Sequence, residues 1–127
     1  MSAPAFDTRA MLDTIARFKG RRVAVLGDLM LDRYLWGRVE RISPEAPVPV
    51  VEIERESASL GGAGNVAANL AALGALPVLI GVVGTDANSE LLREALATRH
   101  VPSGGVTADA TRPTTCLLYT SPSPRDS

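Results

Sequence analysis

The run Gly61-Gly62-Ala63-Gly64-Asn65-Val66-Ala67 concentrates the residue types best suited to chemistry. Adjacent glycines let backbone amides approach a ligand closely, and a helix opening straight after them adds the positive end of its dipole. A polyhydroxy or anionic ligand suits such a place. On residue types alone, a glycine turn that only starts a tightly packed helix fits equally well.

Gly62, Gly64 and Ala67 also satisfy the dinucleotide pattern G-x-G-x-x-A, with Asp86 a suitable distance downstream. That fingerprint needs an apolar strand directly before the loop. Glu54-Arg55-Glu56-Ser57-Ala58-Ser59 is polar and charged instead, so the physical context is missing. Without Gly-Lys-Ser/Thr the loop is not a P-loop either.

Gly27-Asp28-Leu29-Met30-Leu31-Asp32-Arg33-Tyr34 is the second constellation. It sets two carboxylates just beyond a buried strand, where open α/β sheets bind ligands. Each carboxylate can accept two or more hydroxyl hydrogen bonds, as sugar recognition requires. The plainer reading has Asp28 capping a turn and Asp32 solvated. Arg33, Arg38 and Arg41 could meet a phosphate by bidentate hydrogen bonds, although scattered surface arginines are usually solvated.

These residues need a scaffold. Asp7 can cap a helix whose Met11, Leu12, Ile15 and Phe18 form a core stripe, with Gly20 placed to end it. Arg22 to Leu26 is an apolar run expected as a strand buried on both faces of a parallel sheet. From Tyr34 to Leu60, Pro44, Pro47 and Pro49 punctuate short runs such as Val50 to Ile53, which predicts a β-rich excursion or flap. A helix over Asn65 to Leu73 ends at Gly74, and Pro77 to Val83 returns as a second buried strand. Asn88 or Ser89 can cap a further helix through Thr98, with Leu91, Leu92, Ala95 and Leu96 facing inward. Strand, helix, strand implies an α/β sheet, and no internal repeat is present.

The 127 residues fit one domain or part of one. Thirteen Lys and Arg against 14 Asp and Glu give a net charge of −1, which offers no general attraction to nucleic acid or anionic lipid. Cys116 cannot form an internal disulfide, and with His100 the only histidine no nitrogen and sulfur metal site is expected. His100 reads as a solvated helix-end residue, and Cys116 as inert. The residues up to the first helix show no charged-then-apolar leader pattern, so export by a signal peptide is not expected. The apolar stretch Ala71 to Val83 is broken by Gly74, Pro77 and Gly81 and falls short of the ~20 residues that span a bilayer. The expectation is a cytoplasmic protein acting on a small molecule.

With these motifs in hand, the chain resembles the ribokinase (PfkB) type of carbohydrate kinase. Gly61, Gly62, Ala63, Asn65, Ala67, Gly74 and Gly84 fall at the spacings of that family's amino-terminal signature. Gly27 to Gly37, followed by Arg41-Ile42-Ser43-Pro44-Glu45-Ala46-Pro47-Val48-Pro49-Val50, resembles the heptose-7-phosphate kinase branch. The likeness runs from about Phe18 to Thr115.

The resemblance implies a mostly parallel sheet with helices on both faces, a small β-lid over the sugar, and a truncated ribokinase-like domain at residues 1–115. It implies phosphoryl transfer from ATP, with Mg2+, to the anomeric hydroxyl of a heptose 7-phosphate, in the making of ADP-heptose for lipopolysaccharide core. Asp32 would hold sugar hydroxyls, the Gly61 and Gly62 backbone would approach the sugar, Asn65 would donate a side-chain hydrogen bond, and Asp28 would assist. The catalytic base lies in a Gly-Ala-Gly-Asp motif that residues 1–127 do not contain, so this segment is expected to recognise substrate without turning it over or binding ATP. The partner expectation is a homodimer through the lid. Another sugar kinase of the family, a dinucleotide-binding domain and an interaction module using the lid are the alternatives.

Cys116 to Ser127 departs from the family into a Ser/Pro tail resembling translated sequencing adapter. It is expected to be disordered and outside the fold.

Overall fold

The computed structural model describes residues 5–42 and 49–122. In chain order the elements are α1 (Thr8–Ala16), β1 (Arg22–Leu26), β2 (Leu29–Ile42), β3 (Pro49–Gly61), α2 (Gly62–Ala72), β4 (Leu76–Val83), α3 (Ala87–Thr98), β5 (Val106–Ala108) and β6 (Thr115–Pro122). Two sheets form. One is parallel with order β1-β4-β5, and the other has order β3-β2-β6. Pro44 and Pro47 lie outside the described residues.

The parallel sheet follows from its sequence. Arg22 to Leu26 and Leu76 to Val83 are rich in Val, Leu and Ile, and Arg22 pairs with Leu76 at one end and Leu26 with Ile80 at the other. α2 is built of small residues, and its Ala67 and Ala68 have no solvent exposure. That lets the helix axis come close to β4. Leu92 and Leu96 of α3 meet Leu79 and Val83 of β4 in the same core, which also takes Leu29 and Leu31 of β2 and Leu60 of β3. Leu31, Leu79, Leu92 and Leu96 are at most 1% exposed, and truncating any one to Ala costs about 2–5 kcal/mol.

The described residues cover only one face of the parallel sheet. Leu26 is 79% exposed, and Val78, Ile80 and Val82 are 38–40% exposed. Burial along β4 alternates, so the expectation of strands buried on both faces fails for the even-numbered positions. α1 forms where its cap predicts, with Asp7 Oδ1 accepting the Ala10 amide at 3.0 Å, yet none of its residues is buried. Its apolar stripe is therefore not core.

The second sheet enlarges the expected lid. β2 begins at Leu29 instead of near Tyr34, and pairs antiparallel with β3 from Met30–Gly61 to Ile42–Pro49, with register shifts after Trp36 and Val39. β6 then pairs parallel with β2 from Met30–Thr115 to Gly37–Pro122. The segment from Cys116 to Pro122 is thus a strand and not a disordered tail. Cys116, Leu117, Leu118 and Tyr119 supply β-compatible side chains, and the edge of β2 offers unpaired backbone groups. Residues 123–127 lie outside the described residues.

Candidate functional site at the lid base

β2 leaves the parallel sheet after only Gly27 and Asp28, so its first residues lie above the carboxyl end of β1. Alternation along β2 buries Leu29 and Leu31 and turns Met30 and Asp32 to the opposite side. Met30 is flanked across the sheet by Gly61 of β3 and Thr115 of β6, and Asp32 by Ser59 and Leu117.

The two sequence constellations meet here. A Cβ built on Gly61 would stand 2.9 Å from Asp32 Oδ2, so the bare Cα of Gly61 makes room for that carboxylate. Gly62 adopts φ +56°, and a Cβ there would stand 2.4 Å from the carbonyl oxygen of Asp28. That same oxygen accepts the Ala63 amide at 2.8 Å, which stitches the start of α2 to the end of β1. α2 opens at Gly62, three residues earlier than its periodicity suggests. Its N-terminus has no side-chain cap and no acidic residue in its first turn.

Asp32 Oδ1 is buried with no hydrogen-bond partner among the described residues. A buried acceptor left unpaired costs about 1–3 kcal/mol, which a ligand hydroxyl would offset. Asn65 is exposed on the first turns of α2, and Asp28 is exposed beyond β1. The structure thus brings Asp32 to Gly61 and Asp28 to Gly62, while Asn65 stands exposed on the first turn of α2.

The arginines are differently placed. Arg33 points away from Asp32, forms an ion pair with Glu56 and donates to Asn88 Oδ1 at 3.4 Å, tying the lid to α3. Its pKa is raised, chiefly by the hydrogen bond to Glu56. Arg38 lies 4.0 Å from Glu54 Oε1, and the Arg41 side chain lies outside the described residues. Asp86 faces the α3 N-terminus: its Oδ1 accepts from Ser89 N and Thr114 Oγ1 at 3.0 and 2.7 Å, and its Oδ2 from Thr114 N at 2.9 Å. This employment, and not that of Asn88 or Ser89, caps the helix. The Thr114 side-chain bond, then its backbone bond, holds the Asp86 carboxyl below the usual carboxylate range.

A cleft of about 250 Å³ adjoins Asp28, lined by Gly27, Asp28, Gly81, Arg112 and Thr115 among others. Sequence reading missed Arg112 and Thr115. Only the pairing of Thr115 with Met30, a product of the tertiary fold, places them at the site.

The chain matches the pfkB family carbohydrate kinase over residues 21–126. It belongs to that family. Bifunctional protein HldE of Helicobacter acinonychis is 55% identical over 95 residues, covering 75% of this chain and 20% of that protein. Bifunctional protein HldE of Caulobacter vibrioides is 64% identical over 76 residues, covering 60% and 16%. The chain spans about a fifth of the length of these relatives. Arabidopsis thaliana ribokinase complexed with ribose and ATP superposes with a TM-score of 0.62 at 23% identity, over 80% of this chain and 32% of that one. A sugar kinase of Pyrococcus horikoshii in complex with ATP gives 0.54 at 28%, over 76% and 30%.

The ribokinase-like α/β fold is therefore established. The β3–α2 turn also loses its dinucleotide reading: β3 is an antiparallel lid strand, so no βαβ unit surrounds Gly62 and Gly64. Among the described residues no group of three or more His, Cys, Asp or Glu could hold a metal ion, and no helix is long and apolar enough to cross a membrane.

Proposed function

We propose that this chain is the sugar-recognising amino-terminal part of an ATP-dependent kinase that phosphorylates the anomeric hydroxyl of a heptose 7-phosphate. The observation that carries the reading is the Asp32 carboxylate, seated over Gly61 with one oxygen buried and unpaired among the described residues. Family membership, the HldE relatives and the Gly27–Gly37 motif support it.

In this reading Asp32 accepts two sugar hydroxyls, and Asn65 and the Gly61–Gly62 backbone contact the ring. Asp28 takes a further hydroxyl from the cleft side. Fixing the sugar matters because phosphoryl transfer depends mainly on positioning and charge stabilisation. The bond from the γ-phosphorus to the ADP oxygen breaks, one to the anomeric oxygen forms, and the hydroxyl proton passes to a carboxylate base outside residues 1–127. ATP, Mg2+ and that base belong to the remainder of the enzyme. The described carboxylates do not cluster into a metal site, so no step here is assigned to Mg2+.

The whole enzyme would supply a phosphorylated heptose for ADP-heptose and lipopolysaccharide core, in the cytoplasm, and pair with a second copy through the lid. The test uses the enzyme at the full length of its relatives. Asp32→Ala should leave the protein folded and raise the KM for heptose 7-phosphate about tenfold or more, with the KM for ATP little changed. Unaltered sugar kinetics in that variant would sink the assignment.

A further inference from the structure

The cleft beside Asp28 has a wall of opposite charge. Arg112 from the loop before β6 and Thr115 at the start of β6 line it together with Gly27 and Asp28 just beyond β1 and Gly81 of β4. At about 250 Å³ it is smaller than the ~300–1,000 Å³ of a whole ligand pocket, which is the scale of a subsite. It neighbours the proposed sugar site: Thr115, which lines it, and Gly61 flank Met30 on one row of the lid sheet, and Asp32 stands two residues along.

The loop carrying Arg112 is held at both ends. Thr114 is buried, gives its hydroxyl proton and amide to Asp86, and accepts the Gly84 amide at 2.9 Å. Gly84 is bare because a Cβ there would stand 2.5 Å from the Arg112 carbonyl oxygen. At the other end the Asp109 amide donates to Val83 O at 2.8 Å, and Asp109 Oδ1 accepts from the amide and hydroxyl of Thr111. Among the described residues Arg112 makes no ion pair of the kind Arg33 and Arg38 make, although, after the Thr111 hydrogen bonds, its charge helps to lower the Asp109 pKa. An exposed guanidinium on a fastened loop, across a cleft from a hydroxyl-binding carboxylate, suits a ligand with hydroxyls at one end and an anion at the other.

We infer that Arg112, with the Thr115 hydroxyl, is the subsite for the phosphate group of the sugar substrate, so that it selects phosphorylated over unphosphorylated sugar. The inference rests on the sugar-kinase reading above and deepens it. Asp32 reads hydroxyls that both kinds of sugar carry, and Arg112 reads the group that only one carries.

The experiment compares the full-length enzyme with its Arg112→Ala, Arg112→Lys and Asp32→Ala variants on heptose 7-phosphate and on the unphosphorylated heptose, with thermal melts to check folding. Arg112→Ala should lose about tenfold to a hundredfold in kcat/KM on the phosphorylated sugar and little on the other. Arg112→Lys should recover part of the loss, and Asp32→Ala should lose on both sugars alike. If folded Arg112→Ala keeps the wild-type preference, or loses equally on both sugars, the phosphate subsite is wrong while the kinase reading stands. A wild-type enzyme that phosphorylates neither sugar overturns both.

Discussion

The carboxylate of Asp32 and the bare Cα of Gly61 occupy space that only one side chain can fill, for a Cβ at 61 would stand 2.9 Å from Asp32 Oδ2. The neighbouring glycine serves a different end. Gly62 takes a left-handed φ of +56° and packs against the Asp28 main-chain carbonyl, which cannot swing aside.

Gly61→Ala and Gly62→Ala should therefore fail in different ways. The first should fold, since the carboxylate can rotate away, but raise the sugar KM about tenfold by misplacing the hydroxyl acceptor. The second should destabilise the protein by about 2 kcal/mol or more, through the left-handed backbone and the clash with Asp28. Urea melts and sugar kinetics on both variants separate the effects. Equal losses of stability would remove the distinction between a site glycine and a scaffold glycine.

Asp86 gives a pH prediction. Its carboxyl is held below the usual range first by the Thr114 hydroxyl and then by the Thr114 amide. A depressed carboxyl contributes stability above its unfolded pKa of about 4 and loses it as pH falls through the lower folded value. Stability should thus decline below about pH 4, and Asp86→Asn should flatten that decline while lowering stability at pH 7. Denaturation midpoints measured from pH 7 down to pH 3 check this; parallel curves for the two proteins would refute it.

Much of this scaffold was legible, and the misses share a cause. The apolar runs at 22–26 and 77–83, the Asp7 cap and the α2–Gly74 boundary are local signals that need no partner. β2 and β3 were harder to read because Arg33, Arg38, Glu54 and Glu56 interrupt the apolar alternation, and their strand character comes from pairing with one another. Asp86 is the cap of α3 because Thr114, distant in sequence, holds it there. Of the site, Asp32 and the glycines were visible as motifs, whereas Arg112 and Thr115 enter only through the β2–β6 register. The strand at Thr115–Pro122 was missed because Ser121 and Pro122 read as coil, while its Leu117, Leu118 and Tyr119 suit an edge strand.

Arg33 joins β2 to β3 through Glu56 and the lid to α3 through Asn88, and a double-mutant cycle with Glu56 measures the first of these links. The side chains of Arg33 and Glu56 are 28% and 44% exposed, so solvent screens their ion pair to about 0.2–1 kcal/mol. Arg33→Ala should cost more than Glu56→Gln, because it also removes the bond to Asn88 and the packing of the guanidinium stem. The two losses should be less than additive in the double variant by about that coupling. Full additivity in chemical denaturation would show that the pair does not couple β2 to β3.

The open face of the parallel sheet decides how the 127-residue chain behaves alone. Leu26, Leu76, Val78, Ile80 and Val82 leave 38–79% of their surfaces to water, and α1 adds Met11, Leu12 and Ile15 at 40–58%. Apolar exposure of this kind favours self-association, and among the described residues β1 and β5 are the edge strands of the parallel sheet. Size-exclusion chromatography should show oligomers or aggregate, and a coupled assay with ATP and heptose 7-phosphate should show no sugar-dependent ADP release. Because Leu76 and Val78 point outward, Leu76→Lys with Val78→Lys should shift the profile toward monomer without loss of helix by circular dichroism. Leu76 and Val78 keep 54% and 38% of their surface in water, so a lysine can extend outward from either, and added charge opposes association. A monodisperse unmodified chain that unfolds cooperatively and releases ADP with sugar would contradict both the exposed face and the placement of the catalytic base elsewhere.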